Sequence, residues 1–567
     1  MLQKRWNIQT HDRAAAHALA AALGLKPLTA ALLIARGHDT TEAAHRFLNP
    51  SFDHLHDPSL LKGIDVAADR IFKAIDGGEK ILIWGDYDVD GTTGTVLLRQ
   101  ALKILGAVTE YHIPNRFSEG YGLNIPALKA AMEGGCSLVI TVDCGIRSFE
   151  EVGWARENGL DIIITDHHLS DSVKGTPAAY AVVNPNQDGC TYPDKNLAGV
   201  GVAFKIACVL LKARGREDLI RSFLKMTAIG TIADIMQLTG ENRAIVALGL
   251  RDLQHTNNFG LKALMEVADC RSDMKSYHIG FRIGPRINAA GRMDAGKQVV
   301  ELFDAPDFNE ARRIAELLDG KNKERQKVQQ RITEEALLRS VELGKRKFVV
   351  VAGEGWHRGV IGLAASRIAE RLNRPTVVLS VENGTAHGSA RSIPGFHLLD
   401  AMGTCPELFH QFGGHAAAAG MTMDSTKVSE LLARLDQHAR NVLCDDELVP
   451  QLNIDANVSS ETMDLDLLAD LDKLEPFGAG NPKPVFATKG LFLRFDPTVI
   501  KEKHLKLYLA DAKGRRFQAI WWDGMERSSG RTLHEGNGIE LAYTPEFNHW
   551  QGNTQLQLVV HDVRPDN

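Results

Sequence analysis

The chain has 567 residues, enough for about three or four domains with cores of their own. Its composition, 44% apolar and 24% charged, is ordinary for a globular protein, and its net charge of −6 argues against a protein that coats nucleic acid through charge alone. Any nucleic-acid site must therefore be local, or must take its positive charge from bound metal.

The cysteines and the apolar runs predict the cellular compartment of the protein. Seven cysteines are scattered without a CxxC pair, which favours free thiols in a reducing cytosol over disulfides or a zinc site. No apolar run is as long as a membrane span, and the N-terminus MLQKRWNIQTHDR lacks the apolar core of a signal peptide. We therefore expect a cytoplasmic protein with no membrane partner.

The first half of the chain alternates between short apolar runs and amphipathic stretches. Residues 1–60 have the spacing of short helices, and the last of these ends at Pro50. Beyond them, β-rich runs that are apolar on both faces alternate with amphipathic stretches such as Thr93–Leu105; the runs are residues 81–84, 137–142 and 161–165. This alternation predicts a parallel sheet covered by helices.

The second half begins with a charged stretch from about residue 295 to 343, which predicts a long solvated helix between domains. A second α/β block follows, in which strands at 347–353 and 375–381 flank a helix, Ile361–Leu372. From about residue 450, short alternating segments separated by turn residues predict a small antiparallel β-barrel.

Three aspartates crowd together after the first apolar run, in ILIWGDYDVDG. On an extended backbone, Asp86, Asp88 and Asp90 lie on one side, where their charges repel unless a cation neutralises them. A divalent metal with oxygen ligands does this most simply. An EF-hand is excluded, because its twelfth position is Leu97 rather than Glu and a strand precedes it. A turn with capping aspartates is the structural alternative.

Two further apolar runs also end in metal-ligating residues. VITVDCG places Asp143 after one run, and IIITDHH places Asp166, His167 and His168 after the next. In an open parallel sheet, ligands bind at the carboxyl ends of the strands, so these side chains should converge. Asp234, in the apolar stretch TIADIMQL, is costly to bury unpaired, which leaves a metal ligand or a helix cap as its role.

Together these positions supply enough oxygen and nitrogen ligands for two metal ions. Carboxylates with one or two histidines suit Mn²⁺ or Mg²⁺, and paired metals of this kind commonly serve phosphoester hydrolysis. The candidate ligands are Asp86, Asp88, Asp90, Asp143, His167 and Asp234.

The segments GDYDVDG, VDCG, TDHH and ADIMQL resemble the four ordered motifs of the DHH phosphoesterase superfamily. HGSARS (387–392) and GGHAAAAG (413–420) resemble the DHHA-one-type domain that accompanies one branch of it. FRIGPRINAAGRMD (281–294) and the β-rich tail narrow the resemblance to the bacterial 5′→3′ exonucleases of single-stranded DNA. Trp84 is a modest departure, which affects packing rather than metal binding.

The resemblance implies an α/β fold: a parallel-sheet DHH domain and a second α/β domain of the DHHA type, joined by a long helix, with a C-terminal β-barrel of the OB-fold type. The expected segments are an N-terminal helical segment (1–60), the DHH phosphoesterase domain (61–265), a linker with the long helix (266–343), the DHHA-type substrate-binding domain (344–445) and an OB-fold-like nucleic-acid-binding domain (446–567).

The resemblance also implies roles. The family binds two metal ions, Mn²⁺ or Mg²⁺, through the motif aspartates and the first DHH histidine. The implied catalytic residues are Asp88, Asp90, Asp143, His167, His168 and Asp234, with His168 near the scissile phosphate. Asp86 is the outermost of the set and fits either a direct ligand or a residue behind one. Asp166 is expected to orient a histidine or to act as a cap, rather than to bind metal.

The implied activity is degradation of single-stranded DNA from its 5′ end to 5′-mononucleotides. Recombination and repair, including mismatch repair, are the implied processes, with single-strand-binding protein as a partner, and we expect a monomer. Two rivals remain. A phosphoesterase of short oligoribonucleotides or small phosphates would lack the barrel-like tail, and a DNA-binding scaffold with a decayed site would have lost metal ligands.

Phosphate recognition needs arginines, hydroxyls and backbone amides, and several loops offer them. In the family, the loop IPNRFSEGYGL holds the substrate's 5′ end; from the residues alone it is equally an ordinary polar loop. Small residues in INAAG permit close backbone approach, and His415 is either a substrate contact or a packed histidine. The candidate substrate-binding residues are Arg116, Ser118, Tyr121, Arg286, Arg292, Arg358, Ser389, Arg391, His415 and Trp550.

On the barrel, aromatic side chains are candidates for stacking on bases. Trp521 and Trp522 are adjacent, so strand alternation predicts that only one of them faces outward. Phe547 and Trp550 are further stacking candidates, with Arg515 and Arg516 as nearby cations.

Overall fold

The computed structural model describes residues 4–116, 118–270, 273–293, 296–342, 344, 346–528, 533–550 and 553–566, except for the side chains of Glu342 and Trp550. Two compact units result. Unit I comprises Glu42–Lys323 and Leu474–Pro482, and unit II comprises Met1–Thr41, Glu324–Lys473 and Lys483–Asn567. The division into five segments from the sequence stays a prediction.

The helices of the described chain are α1 Arg13–Leu23, α2 Pro27–Ala35, α3 Thr41–Leu48, α4 Ile64–Asp76, α5 Val89–Ile104, α6 Ile125–Glu133, α7 Phe149–Glu157, α8 Gly199–Ala213, α9 Ile220–Ala233, α10 Gly240–Leu253, α11 Phe259–Val267, α12 Ser276–His278, α13 Gly284–Arg292, α14 Gly296–Phe303, α15 Phe308–Glu342, α16 Arg358–Leu372, α17 Leu398–Gly403, α18 Val428–Val442, α19 Leu465–Asp472 and α20 Gly524–Arg527. A π-helical turn, Ile279–Ile283, joins α12 to α13.

The strands are β1 Arg5–Ile8, β2 Lys80–Gly85, β3 Val108–His112, β4 Cys136–Val142, β5 Asp161–Thr165, β6 Ala181–Val183, β7 Val349–Glu354, β8 Thr376–Glu382, β9 Thr385–Arg391, β10 Phe409–Gly414, β11 Ala418–Asp424, β12 Gln451–Ile454, β13 Ala456–Asn457, β14 Phe486–Leu493, β15 Thr498–Ile500, β16 His504–Asp511, β17 Arg516–Trp521, β18 Gly538–Trp550 and β19 Asn553–Pro565.

Unit I is built on a parallel sheet in the order β3-β2-β4-β5-β6. Both faces are covered. Along β2, Ile81 and Ile83 pack into one hydrophobic cluster, whereas Leu82 and Trp84 pack into another on the opposite face. This double burial explains why the strands are apolar throughout, and it confirms the predicted parallel sheet with helical layers. All its strands point the same way, so their carboxyl ends form one edge.

Unit II contains a mixed sheet in the order β10-β11-β9-β8-β7, in which β7 and β8 are parallel and the other pairs antiparallel. The helix predicted between β7 and β8 is α16, which covers one face of this sheet, and α17 and α18 pack on the other. The second α/β block is therefore confirmed.

The C-terminal strands of unit II close into a barrel. β14, β18, β19, β17 and β16 pair in sequence, and β16 returns to pair with β14. The barrel prediction is confirmed, but its purely antiparallel form was wrong, because β17 and β19 are parallel and β13 pairs parallel with β14. A closed ring of five strands cannot alternate in direction all the way round, so at least one neighbouring pair must be parallel.

Three other expectations need correction. The N-terminal segment is not only helical, because β1 pairs in parallel with β12. The single long helix is two, α14 and α15, separated by a turn that contains Pro306, which disfavours helix before it. Nor is α15 fully solvated, since side chains such as Ile314 and Ile332 are buried.

Among the described residues, no single helix is long and apolar enough to span a membrane; α1 and α2 pass that test only as a pair, which is bent by 111°.

Candidate metal centre

The carboxyl ends of three neighbouring strands in unit I carry the predicted metal ligands. Asp86 follows β2, Asp143 follows β4, and the Asp166–His168 segment follows β5. Asp143 adopts a left-handed backbone, with φ 63°, as the chain leaves the sheet. The strand-end argument therefore brings these side chains to one edge.

The first aspartate motif reaches this edge by a route that differs from the prediction. The backbone is not extended through Asp86, Asp88 and Asp90, because α5 begins at Val89. Asp88 is the N-cap of that helix, and its carboxylate accepts a hydrogen bond from the Gly91 amide at 3.1 Å. A strand-to-helix turn, rather than strand alternation, thus makes the three carboxylates converge. Asp88 is a capping residue and lies in the cluster as well.

Asp90 is fully buried and is held by the beginning of another helix. Its Oδ2 accepts from the Gly199 amide at 2.6 Å, and its Oδ1 accepts from the Val200 amide at 2.7 Å. These are the first two amides of α8, whose dipole favours a negative charge at this end. The helix therefore supports a carboxylate that burial alone would neutralise.

His167 lies at the centre of the cluster. Its Nε2 is 3.1 Å from Asp143 Oδ1, 3.6 Å from Asp234 Oδ2 and 3.8 Å from Asp90 Oδ2. Burial lowers the pKa of His167 to about 4, so the imidazole is neutral at pH 7 and carries the lone pair that a metal ligand needs. Asp234 occupies the C-cap position of α9. It is therefore a helix cap, as considered from the sequence, and it also lies in the cluster of candidate ligands.

Three buried polar atoms of this cluster have no hydrogen-bond partner among the described residues: Asp86 Oδ1, Asp143 Oδ1 and His167 Nε2. Buried polar atoms are rarely left unpaired, so atoms that face one another without partners indicate a missing cation. The candidate ligand atoms form three overlapping sets, each within 4.8 Å. Two sets contain only predicted ligands, which are Asp86, Asp88 and Asp143, and Asp90, His167 and Asp234, and the third joins Asp143 and His167 to His168. This oxygen-rich donor set fits Mn²⁺ or Mg²⁺.

The pKa values of the clustered carboxyl groups reflect the same crowding of buried negative charge. Burial, together with neighbouring carboxylates, raises the pKa of Asp86, Asp90 and Asp143 well above the usual range. Burial and the charge of Asp88 raise the pKa of Asp234 to about 7. Without a cation, the centre therefore favours protonated carboxylates, and a divalent metal would return them to the charged form. The six proposed ligands are together, and their roles as ligands stay a prediction.

Asp166 points away from the two sets and fixes the DHH segment. Its Oδ1 accepts from the His167 amide at 2.7 Å and lies 2.8 Å from His168 Nδ1, while its Oδ2 accepts from the Ile146 amide at 3.0 Å. Burial opposes the charge on His168, but the Asp166 carboxylate prevails and raises the pKa of His168 to about 9. His168 is therefore a partly exposed cation beside the metal ligands.

The loop after β3 places its candidates at this centre. The Tyr121 hydroxyl donates to the Asp143 carbonyl at 3.1 Å, and its ring meets the His168 ring edge-on at 6.1 Å. The Arg116 guanidinium lies over the Tyr87 ring, 5.1 Å from its centroid. Ser118 is exposed, with its amide bonded to Asn115. The loop therefore lies against the metal centre, although its contact with substrate stays a prediction.

Helix α13 lies on the other side of Tyr87. A Cβ at Gly291 would come within 2.4 Å of the Tyr87 carbonyl oxygen. The small residues of INAAG do permit close backbone approach, and the backbone that approaches them is that of Tyr87 in this chain. Arg292 ends the helix, and its charge acts on Tyr87, whose pKa burial raises to about 12. Arg286 is paired with Asp319 at 2.9 Å, and its contact with substrate stays a prediction.

The remaining candidates are in unit II. Arg358 begins α16 and is paired with Glu382 at 2.7 Å, so it does not present an unpaired charge at the helix start. On β9, Arg391 Nη1 donates to Ser389 Oγ at 3.0 Å, on the face that α16 covers. His415 is exposed in the turn between β10 and β11, which excludes the packed histidine. The side chain of Trp550 lies outside the described residues.

On the barrel, the structure separates the adjacent tryptophans as alternation predicts, with Trp521 buried and Trp522 exposed. A groove of about 880 Å³ lies elsewhere on the outer surface and was not identified from the sequence. Its lining includes aromatic, cationic and amide side chains, together with the carboxylates of Asp464 and Asp466; the former are Phe495, Tyr508, Arg494, Arg516 and Gln518. The sequence pattern that could have indicated this groove is the alternation along β16 and β17, where the outward Tyr508, Arg516 and Gln518 alternate with buried residues.

Two asparagines that position the DHH segment were also missed. Asn186 Nδ2 donates to the His167 carbonyl at 2.7 Å, and Asn184 Nδ2 donates to the His168 carbonyl at 2.9 Å. Asn288 likewise accepts from the Val89 amide at the start of α5, at 3.3 Å. Asn288 lies within INAAG but 199 residues from the helix start that it supports, whereas Asn184 and Asn186 follow the DHH histidines by 16 and 19 residues in a segment that no motif marks.

Comparison with known proteins gives three family matches along the chain. Residues 80–231 match the DHH family, N-terminal domain, residues 345–441 match the DHHA1 domain, and residues 454–562 match the RecJ OB domain. Each matched range contains elements that the sequence motifs had indicated.

Relatives that match over most of the chain support the same family. The Bacillus subtilis single-stranded-DNA-specific exonuclease RecJ is 39% identical over 564 residues, which cover 99% of this chain and 70% of that protein. The Escherichia coli protein of the same name is 34% identical and covers 89% of this chain and 91% of its own length. A crystal structure of Thermus thermophilus RecJ in complex with Mn²⁺ superposes with a TM-score of 0.85 at 28% identity, covering 99% of this chain and 80% of that one.

Proposed function

Because this chain belongs to the RecJ family of single-stranded-DNA-specific exonucleases, we propose that it degrades single-stranded DNA from the 5′ end and releases 5′-mononucleotides. It is a metal-dependent exonuclease; the direction and the product are the proposal. The observation that carries the metal-dependent chemistry is the group of ligand sets around His167, whose unpaired buried atoms indicate a cation site.

We propose that the six clustered residues hold two metal ions, Mn²⁺ or Mg²⁺. Such ions lower the pKa of a water and stabilise negative charge on phosphoryl oxygens. The chain contributes the geometry, since α8 fixes Asp90, the strand ends fix Asp86 and Asp143, and neutral His167 lies between both sets.

His168 and the loop after β3 are proposed to hold the phosphates. Protonated at neutral pH, His168 places a positive charge beside the metal ligands, where the scissile phosphate would lie. Arg116, Ser118 and Tyr121 are proposed to bind the 5′ end, with the exposed Tyr121 ring available for a base. These three residues would determine which end of the DNA strand enters the metal centre.

In unit II, we propose that Ser389, Arg391 and His415 contact phosphates, and that the barrel groove around Tyr508 binds bases further along the strand. Tyr508 and Phe495 offer aromatic faces, and Arg494 and Arg516 offer charge, which is the combination that binds single strands without sequence preference. Arg358 and Arg286 are proposed to take part through the donors that their pairs with Glu382 and Asp319 leave available.

We expect the protein to act as a monomer in the cytoplasm, in DNA recombination and repair, including mismatch repair, with single-strand-binding protein as a partner. These expectations follow from the family, since recombination and repair are processes in which single strands with free 5′ ends arise.

One experiment tests the direction of cleavage. One single-stranded DNA is labelled at the 5′ end in one tube and at the 3′ end in another, and each is incubated with protein and Mn²⁺, with EDTA controls. Immediate release of labelled mononucleotide from the 5′ tube alone, abolished by EDTA, is expected. Release from the 3′ tube first would contradict the direction. Turnover of two- to five-residue oligonucleotides only would indicate the small-substrate branch, and binding without hydrolysis would indicate a scaffold.

A further inference from the structure

Two aromatic side chains of unit I are stacked on one another and exposed to solvent. The Tyr277 and Phe281 rings have centroids 4.9 Å apart and planes inclined by 25°. Their exposed fractions are 51% and 71%. Single exposed aromatic residues are common, but a parallel stacked pair keeps one broad apolar surface in water, which marks a binding surface more often than a packing accident.

The backbone holds this pair outward. Tyr277 lies in α12 and Phe281 in the π-helical turn that follows, whose Ile279 and Ile283 are fully buried on the opposite side. The inward isoleucines anchor the segment, so the rings cannot turn into the core. Single π-helical turns within helices occur frequently at functional sites.

The same segment lies against the helix that ends at the metal centre. A Cβ at Gly284 would lie 3.6 Å from Ala233 Cβ, and one at Gly280 would lie 3.9 Å from Ile232 Cγ2. Those two residues form the last turn of α9, and the next residue is the proposed ligand Asp234. The residue after it, Ile235, is 75% exposed on a left-handed backbone, with φ 58°. The segment that carries the pair therefore packs on the helix that ends at the centre, and Ile235 adds exposed apolar surface just beyond that helix end.

We propose that the Tyr277–Phe281 pair is a stacking platform for the bases of the single-stranded DNA that enters the metal centre. The inference rests on the proposed function. Unpaired bases present flat π faces, which fit a planar aromatic surface, whereas a duplex keeps those faces within its own stack. The platform would therefore contribute to selection of single strands as well as to affinity. Arg282, next to Phe281, donates from Nη1 to the Asp269 carbonyl at 2.7 Å and lies 4.0 Å from the Asp269 carboxylate, so it is a held cation that adjoining phosphates would share with that carboxylate.

Steady-state kinetics on a 5′-labelled 20-residue oligonucleotide test the platform. The variant Tyr277→Ala/Phe281→Ala is expected to raise KM about tenfold, the size of one lost base stack, with kcat changed less than twofold. The matched control is Phe52→Ala, which removes another exposed aromatic ring of unit I. An unchanged KM overturns the proposal and leaves the pair as a surface for a protein partner.

A second measurement distinguishes base contact from a general disturbance. Oligonucleotides with one abasic residue, moved stepwise from the 5′ end, are bound to the full-length protein with Ca²⁺ replacing the catalytic metal, and affinity is read by fluorescence anisotropy. For the wild type, one or two abasic positions should weaken binding. In the variant, those positions should cause no further loss, because the stacking partner is already gone. Equal losses in both proteins at every position overturn the platform.

Two safeguards keep the outcomes distinct. Tyr277→Leu/Phe281→Leu retains apolar bulk and should fold, yet it should lose the same position-specific coupling. A wild type that neither binds nor degrades single-stranded DNA contradicts the proposed function itself, whereas an active wild type whose variants keep the wild-type loss at every abasic position contradicts only the platform.

Discussion

At the scale of single residues, the centre separates two histidines that are adjacent in sequence. His167 is buried among carboxylates and stays neutral, with a pKa lowered by burial, while His168 is bonded to Asp166 and stays charged. The difference comes from one carboxylate that faces the second ring and not the first. A neutral imidazole suits a metal and a charged one suits a phosphate, so Asp166 assigns the two roles.

Asp166→Asn therefore tests the charge on His168. Removing the carboxylate should lower the pKa of His168 from about 9 to near or below the ordinary value for histidine, about 6.5. The alkaline limb of the kcat/KM profile should then move down by at least about one pH unit. Asp171→Asn, in the same loop, is the control, and its profile should match the wild type. An unmoved alkaline limb in Asp166→Asn would show that His168 does not titrate in the rate.

At the scale of elements, glycines allow helices to reach the metal centre. A Cβ at Gly91, in the first turn of α5, would lie 2.6 Å from both the amide nitrogen and the carbonyl oxygen of Asp86. One at Gly199, the first residue of α8, would lie 2.5 Å from Asp143 Cβ. Backbone contacts this close leave no room for adjustment, so the ligand positions depend on helix packing.

Gly91→Ala should accordingly displace Asp86 or α5. We expect a loss of more than about 2 kcal/mol in the free energy of unfolding and at least a hundredfold loss of kcat, since overpacking shifts ligands as well as the core. Gly153→Ala in α7 is the matched control, because its Cβ would meet no atom within 4 Å, and it should be neutral or stabilising by about 0.5–1 kcal/mol. Similar outcomes for the two variants would contradict the packing argument.

The loop after β3 depends on Glu119 for its shape. The Glu119 carboxylate accepts from the Asn115 amide at 2.9 Å and from Asn124 Nδ2 at 3.3 Å, and it lies 2.7 Å from His112 Nε2. This loop carries Arg116 and Tyr121, so under the proposed function Glu119 would act on the substrate through their positions.

Glu119→Gln should raise KM by about threefold to tenfold, with little change in kcat, because it weakens the hydrogen bonds to a charged group by about 1 kcal/mol without touching the metal ligands. The rise should be larger for DNA with a 5′-phosphate than for DNA with a 5′-hydroxyl, if the loop holds that phosphate. Glu133→Gln, at the exposed end of α6, is the control. A fall in kcat alone would contradict a positioning role.

At the scale of the whole molecule, sequence reasoning located the site but not the way in which it is assembled. Strand ends are visible as apolar runs that stop at Asp143 or at the DHH segment, because burial on both faces of a parallel sheet forces that pattern. The amides that hold Asp90 come from Gly199 and Val200, more than a hundred residues away, and no local pattern indicates such a contact. The parallel pairing of β17 with β19 escaped prediction for the same reason.

The cluster also makes stability depend on pH and metal together. A carboxyl whose pKa is raised on folding binds more protons in the folded state than in the unfolded one, so it stabilises the fold at low pH. For Asp234 this contribution is present below about pH 4 and is lost as the pH rises through about 7. Asp86, Asp90 and Asp143 act in the same direction. Metal-free protein should therefore lose stability from pH 5 to pH 8.

Bound metal should reverse this loss, because a cation favours the charged carboxylates. The rise in thermal midpoint on adding Mn²⁺ or Mg²⁺ should be small at pH 5 and grow towards pH 8, where a hundredfold excess over Kd contributes about 2.7 kcal/mol per site. Calorimetry of EDTA-treated protein measures this, with NaCl at matched ionic strength to exclude screening. Asp143→Asn removes one of the mutually repelling carboxylates, so it should raise the midpoint of the metal-free protein at pH 8 and reduce the gain from metal. A gain that is equal at pH 5 and pH 8, or undiminished in Asp143→Asn, would mean that the metal binds elsewhere.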